Sequence, residues 1–162
     1  MARVVVAYMS AKSSKRGAFE EGWSRKGSKE CVCYNVGFAG QLPGSDTGYK
    51  TTEGVTKLVK PVGIIHDNDL FAAHLMDANF QNKRLDEVIL RMVRGNGEEW
   101  GKLSMYDVKV VLAQPQWGNL QDFYAGDDWD SLMRTELLPE RFDYDFGSGH
   151  EKFTASYAGH ES

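Results

Sequence analysis

The sequence predicts a single α/β or α+β domain: a mixed sheet of about four strands, two central helices on one face of the sheet, and a short acidic C-terminal helix. Three patterns lead to this fold class. β-branched residues run together near the N-terminus, apolar and polar residues alternate over 30–38, and apolar residues recur at helical spacing over 66–94. Because strands precede and follow the helical centre, we expect the helices to pack on the sheet.

Four segments have the pattern of strands. Residues 4–6 are consecutive valines, so Ala2–Tyr8 is predicted to be a strand covered on both faces. Glu30–Phe38 alternates strictly between two sets of side chains and is predicted to be half buried. Thr52–Lys60 and Tyr106–Leu112 alternate in the same way. These four segments are the strands of the predicted sheet.

The two central helices are predicted from their apolar spacing and their end signals. The first covers His66–Phe80, with Asp67 or Asn68 as its N-cap. The second follows Asn82 as N-cap and ends before Gly95. Its apolar face has the spacing i, i+3, i+4, i+7 and consists of Leu85, Val88, Ile89 and Met92.

Length and composition fit one globular domain. The chain has 162 residues, of which 41% are hydrophobic and 26% charged, and that size allows a core without disulfides or metals. We expect residues 1–146 to form the domain and 147–162 to form a frayed polar tail. No membrane span or signal segment is predicted, so the expected location is the cytoplasm. Cys31 and Cys33 are expected to be reduced, structural thiols.

The charge is unevenly distributed along the chain. Residues 1–60 contain ten Lys and Arg against five Asp and Glu, whereas residues 61–162 contain nine against eighteen. The segment 9–29 is predicted to be a basic loop or arm that binds DNA or RNA, because cations can contact phosphates and aromatic rings can stack on bases. The equally weighted alternative is a solvated loop. Its candidate contact residues are Lys12, Lys15, Arg16, Phe19, Trp23, Arg25, Lys26 and Lys29.

The C-terminal part combines acidic and aromatic residues. A short helix is predicted where Trp129, Leu132, Met133 and Leu137 recur at helical spacing, before Pro139. This region is a candidate for protein contact, with aromatic anchors and steering acids. The slightly favoured alternative is that the aromatics complete the core while the acids face water. The alternative function is a small inhibitor protein, of viral or mobile-element origin, that binds a larger target through this face. Its candidate contact residues are Asp127, Asp128, Trp129, Asp130 and Tyr144.

A third hypothesis is an enzyme with a site near His66 and His74. His74 and Asp77 are three positions apart and would share a helix face, as two metal ligands must. However, no zinc, calcium, phosphate-binding or nucleophile motif occurs, so no catalytic residue, metal or cofactor is predicted. The sequence therefore favours a non-catalytic binding protein over an enzyme, and a partly buried histidine that makes a hydrogen bond over a metal ligand.

Overall fold

The computed structural model describes residues 4–13, 17–19, 23–24, 29–38, 40–41, 58–59, 61–116, 132–147 and 153–158. Within them the chain is mostly strand. In chain order the elements are β1 (Ala7–Ser13), β2 (Gly17–Ala18), β3 (Cys31–Gly37), β4 (Gly40–Gln41), β5 (Leu58–Val59), β6 (Val62–Asp67), α1 (Leu70–Phe80), β7 (Arg84–Val93), β8 (Glu99–Gln116), β9 (Leu132–Leu138), β10 (Arg141–Phe146) and β11 (Phe153–Ala158).

Six strands close into an antiparallel barrel. Their order around it is β8, β7, β1, β3, β6 and β9, and β9 returns to pair with β8. Closure satisfies the backbone groups along both edges of each of these strands. The 18-residue β8 is the longest of them. Along one edge it pairs first with β10, Tyr106 opposite Arg141, and then with β9, Lys109 opposite Leu138. β11 pairs with β10 outside the closed circuit.

Side chains fill the barrel interior. Each of the barrel strands contributes residues that are at most 1% exposed, among them Met9, Cys33, Ile64, Leu90, Leu103 and Leu137. Each large apolar side chain buried in this way stabilises the fold by about 1.5–3 kcal/mol. The alternation predicted for Glu30–Phe38 is confirmed in β3, where the cysteine side is the buried one. Both cysteines are free thiols.

The single described helix, α1, packs across the barrel. Asp69 is its N-cap and accepts a hydrogen bond from the backbone N–H of Ala72 at 3.0 Å. Near its end, Asn79 Nδ2 donates to the carbonyl oxygen of Val110 on β8 at 2.7 Å. Its buried face consists of Phe71, Ala72, Leu75 and Ala78. The helix thus begins at Leu70, four residues later than predicted, and His66 belongs to β6 instead.

The predicted mixed sheet with two central helices is wrong. The second of those helices, after Asn82, is the strand β7, held between β1 and β8. Asn82 has a φ of 51°, in the left-handed region, so it ends α1 and does not cap a new helix. The strand buries Leu85, Val88, Leu90 and Val93, so its buried side chains do not alternate regularly and no clear period of two marks 84–93 as a strand. Long-range pairing therefore decides the outcome.

Two C-terminal predictions also need correction. The short acidic helix is wrong over its described part, because Leu132–Leu138 is β9, paired with β6 and β8. The frayed tail contains β11, which pairs with β10 over six residues, from Phe153 to Ala158. Pairing outweighs the local signals in both segments: β9 bonds to the distant strands β6 and β8 despite its helical spacing, and β11 bonds to the preceding strand β10 despite its low hydrophobicity.

The backbone at Asn82 supports a prediction about stability. Replacing Asn82 with valine should lower the free energy of unfolding by about 1–2 kcal/mol, because a β-branched residue is strained at positive φ. Asn82→Gly should leave it within about 0.5 kcal/mol, since glycine adopts this conformation freely. Urea unfolding of the two variants measures the difference. Equal stabilities would show that Asn82 does not need the left-handed conformation.

Candidate functional site

Aromatic residues of the predicted basic arm pack against α1. Phe19 is 3% exposed and lies edge-on to Phe71, with ring centroids 4.8 Å apart. The Trp23 indole stacks on the His74 ring at 3.7 Å, with an angle of 10° between the planes. The carbonyl oxygen of Trp23 also accepts a hydrogen bond from the backbone N–H of Phe71 at 3.1 Å. These rings hold the segment to the body of the protein and are not free to stack on bases.

The structure does not show the six cations of the predicted basic arm on a common surface, because it describes only Lys12 and Lys29 among them. Lys12 is exposed on β1, directly opposite Glu87 of β7, and Lys29 is exposed just before β3. An opposite charge at a cross-strand position partly neutralises Lys12. The other four cations proposed for nucleic-acid binding lie outside the described residues; they are Lys15, Arg16, Arg25 and Lys26.

Of the candidate residues for protein contact on the predicted acidic face, the structure describes only Tyr144. This residue is half buried, packs against the hydrophobic core, and places its ring 5.1 Å from that of Phe38. Its aromatic group therefore completes the core at one end of the barrel, as the structural alternative expected. The other candidates for protein contact lie outside the described residues; they are Asp127, Asp128, Trp129 and Asp130.

His66 is the centre of a buried polar cluster in the barrel wall. Its Nδ1 lies 2.9 Å from the carbonyl oxygen of Asp67, which can only accept, so Nδ1 carries the proton. Its Nε2 accepts a hydrogen bond from the Thr135 hydroxyl at 2.7 Å. Burial lowers the pKa of His66 to about 4, and the bond to the Asp67 carbonyl opposes that change only in part. His66 is therefore neutral at physiological pH.

The thiol beside His66 is not a nucleophile. Cys31 Sγ lies 3.5 Å from His66 Nδ1 and 3.6 Å from an Asp69 carboxylate oxygen. Burial raises the pKa of the Cys31 thiol far above its usual value, and the neighbouring Cys33 and Asp69 raise it further. A protonated, fully buried thiol reacts slowly. Among the described residues no three metal-binding side chains are placed to hold an ion.

The hypothesised enzyme site around His66 and His74 is not assembled as one site. His66 is fully buried in the barrel wall, whereas His74 lines an open pocket of about 540 Å³ beside the C-terminal half of α1. Asp77 lines the same pocket, as the helical spacing predicted. The segment Asn82–Asp86 also lines this pocket. The sequence pattern predicts a helix for this segment, so it does not predict that the segment lies beside His74 and Asp77.

A second surface feature that the sequence did not indicate is a row of aromatic rings where β8 begins. The rings of Trp100 and Phe146 are 4.8 Å apart, and Tyr144 lies between Phe146 and Phe38. Phe38 is 38% exposed and Phe146 is 41% exposed. We call these four residues the aromatic row. Predicting it would have required the register of β8 with β10.

No described helix is long and apolar enough to cross a membrane. No family model matches the sequence, and no curated protein matches it. Solved structures do share the fold. The structure described as Hcp protein is 14% identical, covers 98% of this chain and 99% of its own, and has a TM-score of 0.80. Secreted protein Hcp3 from Pseudomonas aeruginosa is 15% identical, with 95% and 97% covered and a TM-score of 0.68.

A type VI secretion system effector from Yersinia pestis also matches, at 12% identity, 94% and 99% coverage and a TM-score of 0.68. These matches overturn three predictions. The nucleic-acid-binding function and the alternative of an inhibitor that uses an acidic face are both wrong: the matching structures named here are described as Hcp or type VI secretion proteins, and Phe19 and Trp23 are packed against α1. The cytoplasmic location is wrong as well, because proteins with this fold include secreted ones.

Proposed function

We propose that this chain is a non-catalytic structural protein of a type VI secretion system, and that it assembles with copies of itself into a closed ring. The observation that carries this proposal is the likeness to the Hcp structure over essentially the whole of both chains. The match covers 98% of this chain and 99% of the other, so the likeness is not limited to a small motif.

The exposed apolar side chains support assembly through two different surfaces. One surface is the aromatic row near Gly101, and the other is α1, where Phe80 is 73% exposed and Leu70 is 53% exposed. The end of α1 contacts β8 at Val110, nine residues from Gly101, a distance of about 30 Å along a strand. Two unlike patches favour head-to-tail contacts, and such contacts close into rings when the rotation between copies allows it.

The edge of the sheet gives further support. β11 is the last strand of its sheet among the described residues, and β10 covers only one of its two edges. A strand edge of this kind presents unpaired backbone N–H and C=O groups that a neighbouring copy can bind. Because the six barrel strands pair on both sides, β11 is the edge best placed to receive such a strand.

The assembly can be tested directly on the purified protein. Native mass spectrometry and light scattering at micromolar concentration should give one closed oligomer, and negative-stain images should show rings. Phe146→Glu should weaken assembly about tenfold or more, because it places a charge in an apolar contact. Val4→Glu, at an apolar residue that is 69% exposed elsewhere, is the matched control. A monomer throughout would contradict the proposal.

A further inference from the structure

The pocket beside α1 has an apolar floor and an acidic rim. Phe19, Ala78 and Leu85 line it, and each of them is at most 7% exposed. Asp77 on α1 and Asp86 on β7 both line it. Its volume of about 540 Å³ lies within the range of pockets that bind small molecules or a few side chains.

The cations around this pocket are already engaged, whereas the two carboxylates are not. Arg84 Nη1 donates to the Asp107 carbonyl oxygen and to Glu140 Oε1, both at 3.0 Å. Lys83 has an interaction of its own. The side chains of Asp77 and Asp86 make no hydrogen bond or ion pair with any residue that the structure describes. Among the described charged residues that line the pocket, the ones without a partner are therefore the carboxylates of Asp77 and Asp86.

We infer that this pocket binds an arginine side chain presented by a partner protein. The guanidinium group is a planar fork that binds carboxylates and packs flat on aromatic rings, and its stem is apolar. Asp77 and Asp86 bind the fork, and Phe19 and Leu85 pack against the stem. A metal ion fits less well, because no third ligand is in place within the described part of the chain.

The test is a methyl NMR titration of the whole protein, which also works on large assemblies. The probe is the peptide acetyl-Gly-Arg-Gly-amide, compared with its citrulline and lysine analogues. The arginine peptide should shift the methyl signals of Leu85 and Ala78, which line the pocket, and leave that of Leu103 in the barrel core unchanged. Citrulline has the same shape without the charge, so it should produce no shift.

Variants measure the contribution of the carboxylates. The double substitution Asp77→Asn with Asp86→Asn should weaken binding of the arginine peptide about tenfold or more. Glu98→Gln removes an exposed carboxylate at the other end of β7 and should change nothing. Equal binding of citrulline, an equal loss in Glu98→Gln, or silent Leu85 and Ala78 signals would overturn the inference. A lysine peptide that binds as tightly would overturn the choice of arginine.

The peptide comparison uses the unmodified protein, so it does not depend on the variants folding. Because the pocket lies beside α1, one of the two proposed assembly surfaces, the titration is repeated on Phe146→Glu, in which assembly is weakened. If neither protein binds the arginine peptide, the pocket is disproved and the ring proposal stands. A wild-type monomer that binds the peptide disproves only the ring.

Discussion

Replacing Phe71 with alanine is expected to lower the free energy of unfolding by about 3–5 kcal/mol. Phe71 is fully buried, and its ring lies 4.8 Å from that of Phe19. Its loss leaves a cavity between α1, Phe19 and the barrel core, and these parts cannot collapse together without losing other contacts. Urea unfolding, measured at two protein concentrations to separate folding from assembly, gives the change.

Phe80 provides the matched control on the same helix. It has the same side chain but is 73% exposed, so Phe80→Ala should change the free energy of unfolding of the single chain by less than about 0.5 kcal/mol. If both substitutions cost the same, α1 does not pack on the barrel through Phe71. The pair therefore tests the position of the helix as well as the stability of the core.

Acid should destabilise the fold through His66. Its pKa is about 4 in the folded protein and about 6.5 when exposed, so the unfolded chain binds the extra proton more readily between these values. The stability associated with neutral His66 is fully present above about pH 6.5. It falls as the pH is lowered toward 4, by a total of about 3 kcal/mol. Urea midpoints from pH 7.5 to 4.5 measure this loss.

The contribution of His66 can be separated from that of the other acids. His66→Asn removes the titrating group from the cluster, so the variant should lose less stability than the wild type between pH 7.5 and 4.5, even if it starts less stable. His74→Asn removes a half-buried histidine from α1 and is the control. Identical pH slopes for wild type and His66→Asn would contradict the assignment, because another group would then cause the loss.

Local patterns in the sequence predict some elements of this fold and miss its closure. The strand at 30–38 and the helix ending at Phe80 are predicted from the periods of their apolar residues, although the helix begins at Leu70 and not at His66. The segment 84–93 is assigned wrongly because Leu85, Val88 and Met92 have helical spacing, and the buried residues of the strand do not alternate regularly. Only its position between β1 and β8 decides the matter, and no local pattern contains that information.

The predictions of site residues were right or wrong according to whether the element that carries each residue was predicted. His74 and Asp77 line one pocket because both lie on a helix that was predicted correctly. Asp86 was missed because it was placed in the first turn of a helix that does not exist. Phe19 and Trp23 were taken for exposed base-stacking rings, since a glycine-rich basic segment does not show that its aromatics pack on α1.

The pairing of β1 with β7 also bears on how the chain is made. Ala7 lies opposite Met92, so β1 has no β7 partner until Met92 has left the ribosome. The barrel closes only when β9 pairs with β8, after Leu138 has left the ribosome. At about 5–20 residues per second, unpaired strands are exposed for several seconds. Synthesis, more than the finished barrel, is therefore the stage at which aggregation threatens this protein.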